Sequence, residues 1–341
     1  MKIFIFGAGA SLGSQDRTIG SLDPSFHAPL VDQLFNPTYK KYSNNTLNES
    51  EFEECKNAVK SCGSLERWLT ERWEAIQALR DENSKQAEKA FFGGITFYLW
   101  FLLQAVSSNG YSEPNGYSIL LQKIRKKDEL FALISFNYDT LLDQAVQHRF
   151  RRSLLTLEEY LSFGLIKPHG SVNWLLRKRA EDPGLPEGTQ IEQVLRLRTA
   201  TSKLYNGPPH SMVNIEIINP DNPDLLTFEK TLSRFRYQYF YPLLFMPLTG
   251  KLYSQVEGFQ EKIIQRGHDL LRQASEIYLV GYRAADDLIK EMFKNVNSNT
   301  VLHVIGIEAA DEVMQNVISW APHLQKGDTY SSGFMRFAED Y

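Results

Sequence analysis

Residues 1–16 read MKIFIFGAGASLGSQD, an apolar run from Lys2 to Phe6 that ends on Gly7, Gly9 and Gly13. Such a run followed by small residues predicts a buried strand that turns sharply, because glycine lets the main chain approach a phosphate closely. The spacing misses the G-x-G-x-x-G register of hydride-transferring dinucleotide folds by one residue, since Leu12 stands where the third glycine would fall. The stretch therefore predicts a strand and a candidate phosphate loop, Gly7-Ala8-Gly9-Ala10-Ser11.

The composition bounds what such a loop could serve. The chain has 341 residues, 43% hydrophobic and 23% charged, which is ordinary for a folded globular protein. A net charge of -4 gives no global attraction to nucleic acid or to an anionic membrane, so direct nucleic-acid binding is not expected. Cys55 and Cys62 are too few for a disulfide framework or a four-cysteine zinc site, and they predict free thiols in a reducing compartment. The N-terminus lacks the charged and apolar regions of a secretory leader, which predicts a cytoplasmic protein. Residues 90–106, AFFGGITFYLWFLLQAV, reach only the short limit of about 17 to 25 residues for a membrane span. With Gly93, Gly94, Thr96 and Gln104 inside it, the stretch predicts a buried helix.

Beyond the first loop, HAPLVDQLF at 27–35 has helical spacing in Leu30, Leu34 and Phe35. A helical insertion follows at about 40–128, where Leu65, Trp68, Leu69, Trp73, Ile76 and Leu79 fall near one face and predict core. ELFALISFNYDTLLDQAV at 129–146 repeats the opening logic, a strand ending at Asn137 and a helix that Asp139 can cap. GLIKPHGSVNW at 164–174 predicts a short strand with His169-Gly170-Ser171 at its turn. Residues 175–238 are rich in charged and turn residues and predict a polar surface excursion. The last third alternates strands and helices up to a final helix near Trp320. Together these elements predict one domain over 1–341, an α/β fold with a doubly wound, Rossmann-like parallel sheet covered on both faces.

In such a sheet, ligands bind at the carboxyl ends of the strands. The residues expected there are Gly7 to Ser11, Asn137, Asp139, His169, Ser171, Gly281 and Arg283. They supply a phosphate cradle, a carboxamide, a carboxylate and a titratable base.

The segments GAGAS, SFNYDTLLD, KPHGS and LVGYRAADD, with PLTGK before the last, resemble the sirtuin-like family, in particular the zinc-less NAD-consuming members of bacterial anti-phage defence. The resemblance covers residues 1–15 and 130–320 and leaves the helical insertion without motifs. It implies that Gly7, Ala8, Gly9, Ala10 and Ser11 hold the phosphates of NAD. It further implies that Asn137 and Asp139 sit by the nicotinamide ribose, that His169 is catalytic, and that Ser171 and Gly281 touch the cofactor. The family's glutamine before the asparagine is Phe136 here, its small hydroxyl residue in the later loop is replaced by Arg283, and its ribose-binding asparagine is not evident, which leaves Glu308 to bond ribose hydroxyls. The four zinc cysteines are missing, so neither zinc nor an acyl-lysine peptide site is expected.

Cleavage of the bond to a cationic nicotinamide passes through an oxocarbenium-like centre, which fixed dipoles and a nearby carboxylate stabilise better than bulk water does. Histidine suits the base role because its ordinary pKa lies near neutrality. The reading is an NAD glycohydrolase releasing nicotinamide and ADP-ribose, an NAD-depleting defence effector that forms homo-oligomers and is controlled by a partner such as a DNA-translocating ATPase. The alternatives are a protein ADP-ribosyltransferase or deacylase, and a non-catalytic nucleotide-sensing module. Preference between NAD and NADP stays open, because Arg283 could meet a 2′-phosphate.

Overall fold

The computed structural model describes residues 1–44, 46–62, 65–179, 215–220, 238–245, 258–307 and 309–341. Its strands are β1 (Lys2–Phe6), β2 (Phe131–Ser135), β3 (Leu165–Ile166), β4 (Gly170–Arg179), β5 (Ile215–Ile217), β6 (Gln238–Leu244), β7 (Glu276–Val280), β8 (Val301–Ile305) and β9 (Gln325–Tyr330). The α-helices are α1 (Ala8–Ser14), α2 (Glu49–Cys62), α3 (Leu65–Ala78), α4 (Glu82–Asn109), α5 (Gly116–Lys127), α6 (Leu141–Phe150), α7 (Leu157–Phe163), α8 (Phe259–Leu271), α9 (Asp287–Phe293), α10 (Ala310–Trp320) and α11 (Gly333–Asp340).

The main sheet has six strands in the order β3-β2-β1-β7-β8-β9, all paired in parallel. In each of β1, β2, β7 and β8 every residue after the first is buried, as a sheet covered on both faces requires. This is the expected Rossmann-like α/β arrangement. Strand β1 is central: Phe6 is in register with Ser135 of β2 on one side and Val280 of β7 on the other. The strand order reverses between β1 and β7, the position at which open α/β sheets take ligands in a crevice outside the carboxyl ends of the strands.

Helix α1 begins immediately after Gly7, so most of the expected phosphate loop is the first turns of a helix. The helix expected at 27–35 is reduced to a 3₁₀ turn at Val31–Gln33. Pro29 fixes its own φ, offers no amide and disfavours helix at Ala28, and the apolar spacing instead serves burial, with Phe35 stacked 5.1 Å from Tyr98.

The helical insertion is α2 to α5. Its core expectation holds for Leu65, Leu69 and Ile76, each at most 5% exposed, while Trp68 and Trp73 pack partly buried against the same core. Helix α4 is long and apolar enough to cross a membrane, but 83% of its apolar window is buried inside the protein. Trp100 on α4 donates from Nε1 to the Val172 carbonyl at 2.9 Å, which ties the insertion to β4.

The expected surface excursion differs at its described ends. Strand β4 runs on to Arg179 and pairs antiparallel with β5 and β6, forming a second sheet in the order β5-β4-β6. Leu175 and Leu176 are buried in it, and the charged residues that follow them disguise this strand in the sequence. Residues 180–214 and 221–237 of that stretch lie outside the described residues, as does PLTGK.

Candidate functional site

The glycines after β1 have a packing role. A Cβ on Gly7 would lie 2.6 Å from the Tyr282 ring and 2.8 Å from the Gly281 carbonyl oxygen, and one on Gly9 would lie 3.0 Å from the Gly281 Cα. Gly281 has a φ of +56°, and its own Cβ would fall 2.2 Å from the Ala10 nitrogen. The connections after β1 and β7 are therefore pressed together backbone to backbone. The Gly9 amide donates to the Gly281 carbonyl at 3.0 Å and the Ala10 amide to the Gly7 carbonyl at 2.8 Å, so these two amides are already engaged.

Beneath this contact lies a polar knot centred on Ser11. Its hydroxyl donates to Asp139 Oδ2 at 2.8 Å and lies 3.1 Å from the Tyr117 hydroxyl, while Asn137 Nδ2 donates to it at 2.9 Å. A serine hydroxyl has one proton and two lone pairs. Its proton is committed to the carboxylate, so Tyr117 must donate to it. Burial pushes the Tyr117 phenol well above its usual range and keeps it a donor. Asn137 Nδ2 also donates to the Gly7 carbonyl at 2.8 Å, and that acceptor fixes which way the carboxamide faces. Among the described residues Asn137 Oδ1 has no partner, and it is not sealed from solvent.

Asp139 is only 5% exposed and accepts the Leu141 amide at 3.1 Å through Oδ1, from one residue ahead of the N-cap position, which Thr140 and not Asp139 occupies. Burial raises its carboxyl above the usual carboxylate range, against the opposing influence of Lys167, Ser11 and the Leu141 amide. It touches Asn137 through Ser11, so its place is behind the carboxamide.

A second layer was not anticipated. Lys167 is fully buried, and its ammonium donates to the Asp139 carbonyl at 2.7 Å, Asp143 Oδ2 at 3.0 Å and Ser171 Oγ at 2.7 Å. Tyr160 donates to the other Asp143 oxygen at 2.6 Å. Ser171 donates in turn to the Tyr138 carbonyl at 3.3 Å, so its side chain is used inside the protein. An ammonium inside a domain needs partners of this kind. The available signal was its place: Lys167 follows directly on the apolar Leu165 and Ile166 of a short strand.

His169, in the turn between β3 and β4, is 4% exposed. Its ring meets Phe136 edge-on at 4.9 Å and lies nearly parallel to Tyr138 at 5.9 Å, while Phe136 stacks 4.7 Å from Tyr282. Nε2 lies 2.6 Å from Asp286 Oδ2 in the connection after β7. Asp286 is thus a site residue that sequence reasoning passed over, because in RAADD it reads as the cap of the next helix. It is that cap as well, accepting the Leu288 amide at 2.7 Å through Oδ1. Although burial raises the Asp286 carboxyl, the neighbouring imidazole and the Leu288 amide outweigh it and hold the group below the usual range.

The structure therefore brings Gly7, Ala8, Gly9, Ala10, Ser11, Asn137, Asp139 and Gly281 together at the reversal between β1 and β7. His169 joins them through the Phe136 and Tyr138 rings that flank Asn137. Arg283 is exposed at the rim. Glu308 lies outside the described residues. Among the described residues no cluster of metal-ligating side chains occurs.

In sequence, the chain matches no protein-family model and no curated protein. Among solved structures it is similar to a Sir2 homologue mutant in complex with ADP-ribose, with a TM-score of 0.40 and 11% identity over 99% of this chain and 89% of that one. It is similar to Sir2Tm bound to a propionylated peptide, with a TM-score of 0.40 and 14% identity over 100% and 91% of the two chains. A Sir2 homologue–NAD complex gives a TM-score of 0.37 and 12% identity over 99% and 86%.

Proposed function

We propose that the protein is an NAD glycohydrolase that cleaves the bond between nicotinamide and ribose to give nicotinamide and ADP-ribose. The observation that carries this reading is the anchored carboxamide of Asn137, whose Nδ2 is held by Gly7 and Ser11 while Oδ1 faces solvent at the crevice beside the buried His169. A carboxamide fixed in this way presents an oriented dipole to a ribose hydroxyl or an attacking water without reorganising as charge develops. His169 takes the proton released by that nucleophile. Asp139 acts through Ser11, keeping the serine hydroxyl aimed so that its lone pair receives the asparagine.

NAD binds with its diphosphate by α1 and the rim around Gly281. The Gly9 and Ala10 amides and the Ser11 and Ser171 side chains are used internally, so the phosphates meet the remaining edge of the α1 turn and a positive side chain such as Arg283. The resemblance of the four strand-end motifs to zinc-less sirtuin-like NAD-consuming proteins supports the same reaction, and extends the proposal to an oligomeric cytoplasmic defence effector under the control of a partner protein. A nucleotide-sensing module without turnover is the second reading, favoured by the depth at which Asp139 is sealed.

Mass spectrometry of NAD incubated with purified protein, at low and high protein concentration, tests the proposal. Nicotinamide and ADP-ribose from the wild type and none from His169→Ala support it. Intact NAD with the wild type at every concentration, alongside saturable NAD binding, favours the sensing module and overturns the hydrolase.

A further inference from the structure

We infer that Asp286 and His169 form a working pair in which Asp286 fixes the imidazole proton on Nε2 and so leaves the Nδ1 lone pair as the base that faces the crevice. The inference rests on the hydrolase reading and specifies which atom of that site takes the proton.

His169 and Asp286 come from connections on opposite sides of β1, after β3 and after β7, and the side chains are 5% and 8% exposed. Nε2 approaches Oδ2 to 2.6 Å at an angle too bent for a straight hydrogen bond, and neither atom has another partner among the described residues. Two bare acceptors do not settle at that separation inside a protein, so a proton lies between them. The Asp286 carboxyl, held below the usual range by the imidazole and the Leu288 amide, is the weaker base of the two, so the proton belongs to the nitrogen. Nδ1 differs: it has no hydrogen-bond partner among the described residues and is not sealed from solvent. Three contacts fix the orientation. Phe136 stands edge-on to the ring, Tyr138 lies along its face, and the Leu288 amide holds the other Asp286 oxygen.

In the reaction the attacking water gives one proton to Nδ1 as its oxygen bonds to the ribose carbon and keeps the other as the new hydroxyl of ADP-ribose. The bond from that carbon to nicotinamide breaks, and its electron pair neutralises the pyridinium nitrogen. The imidazolium formed is balanced by the Asp286 carboxylate and later releases its proton to water. Asp286 touches no substrate and is a positioning residue, as the buried carboxylate is in hydrolytic triads.

Asp286→Asn separates charge from capping. Asparagine caps helices as well as aspartate does, so Oδ1 keeps the Leu288 amide and Nδ2 takes the place of Oδ2. An amide donor there forces Nε2 to accept, which moves the ring proton to Nδ1 and removes the base. The variant should lose at least about 10²-fold in kcat, with KM for NAD little changed.

The deciding experiment is nitrogen NMR of the apo protein labelled in histidine, with the His169 signals identified by their loss in His169→Gln. Wild type with Nε2 protonated and Asp286→Asn with Nδ1 protonated is the expected result. It reads the tautomer without turnover, so an inactive wild type would defeat the hydrolase reading and leave this result standing. A wild type protonated on Nδ1, or an Asp286→Asn protein with the wild-type tautomer, overturns the pairing, as does wild-type kcat in that variant.

Discussion

Replacing Lys167 by methionine tests whether the buried ammonium organises the floor of the site. The side chains of Lys167 and Asp143 are 0% exposed, and the ammonium makes three contacts of 2.7 to 3.0 Å. Methionine fills nearly the same length and removes only the charge and its donors. Asp143 is then left as a buried carboxylate with Tyr160 as its remaining donor, and the Asp139 carbonyl loses a partner. Breaking one side of a buried ion pair costs about 3 to 5 kcal/mol. The expected destabilisation is therefore about 4 kcal/mol by equilibrium urea unfolding. Asp143→Asn in the Lys167→Met background removes the stranded charge and keeps an acceptor for Tyr160, and it should restore roughly half of the loss. A loss below about 1 kcal/mol, or a double variant no more stable than Lys167→Met, would refute the assignment of a charged, mutually dependent pair.

Gly281→Ala should lower the melting temperature by several degrees, because its Cβ meets the Ala10 and Gly9 main chain at 2.2 and 2.3 Å and the φ of +56° adds about 1 to 2 kcal/mol of its own. Gly20→Ala, with nothing within 4 Å of the added Cβ, is the control and should stay within about 0.5 kcal/mol of wild type. His303 supplies a pH dependence. Burial lowers its pKa below the ordinary 6.5, with Lys2 acting in the same direction and Asp328 and Glu276 opposing. The unfolded chain then binds this proton at a higher pH than the folded chain, so stability falls as pH drops from 7 through 6.5. In His303→Phe, which keeps a ring on Tyr278, the melting temperature between pH 5 and 7 should depend less on pH; an unchanged slope would count against the burial of His303 as its source.

The main sheet was legible because its inner strands are buried on both faces and read as unbroken apolar runs, such as Ile3 to Phe6 and Ile277 to Val280. Strand β9 was not, since QKGDTY lies at the sheet edge, where backbone pairing suffices and side chains stay partly exposed. Helix α11 followed it out of the reading. Asn137, Asp139 and His169 could be placed at strand ends from spacing alone. What spacing could not give was how deep each lies, and therefore that Ser11 and Ser171 spend their hydroxyls inside the protein. Tyr117 and Asp286 were invisible as site residues because each belongs to a helix start that local rules explain fully. Gly7 and Gly9 show the same limit in reverse: small residues were legible, but the neighbour that needs the space, Gly281, is supplied by a strand far along the chain.

The central position of β1 bears on how the protein is made. Strand β1 finds its second neighbour, β7, only after the residues up to Glu276 have been synthesised, since Lys2 pairs with Glu276. Such distant pairing raises contact order and slows folding. Until residues 276–286 emerge, Gly9 lacks the carbonyl that anchors it and His169 lacks Asp286. A nascent chain therefore carries no assembled candidate site, so whatever chemistry that site performs begins only once β7 and the connection after it have been made.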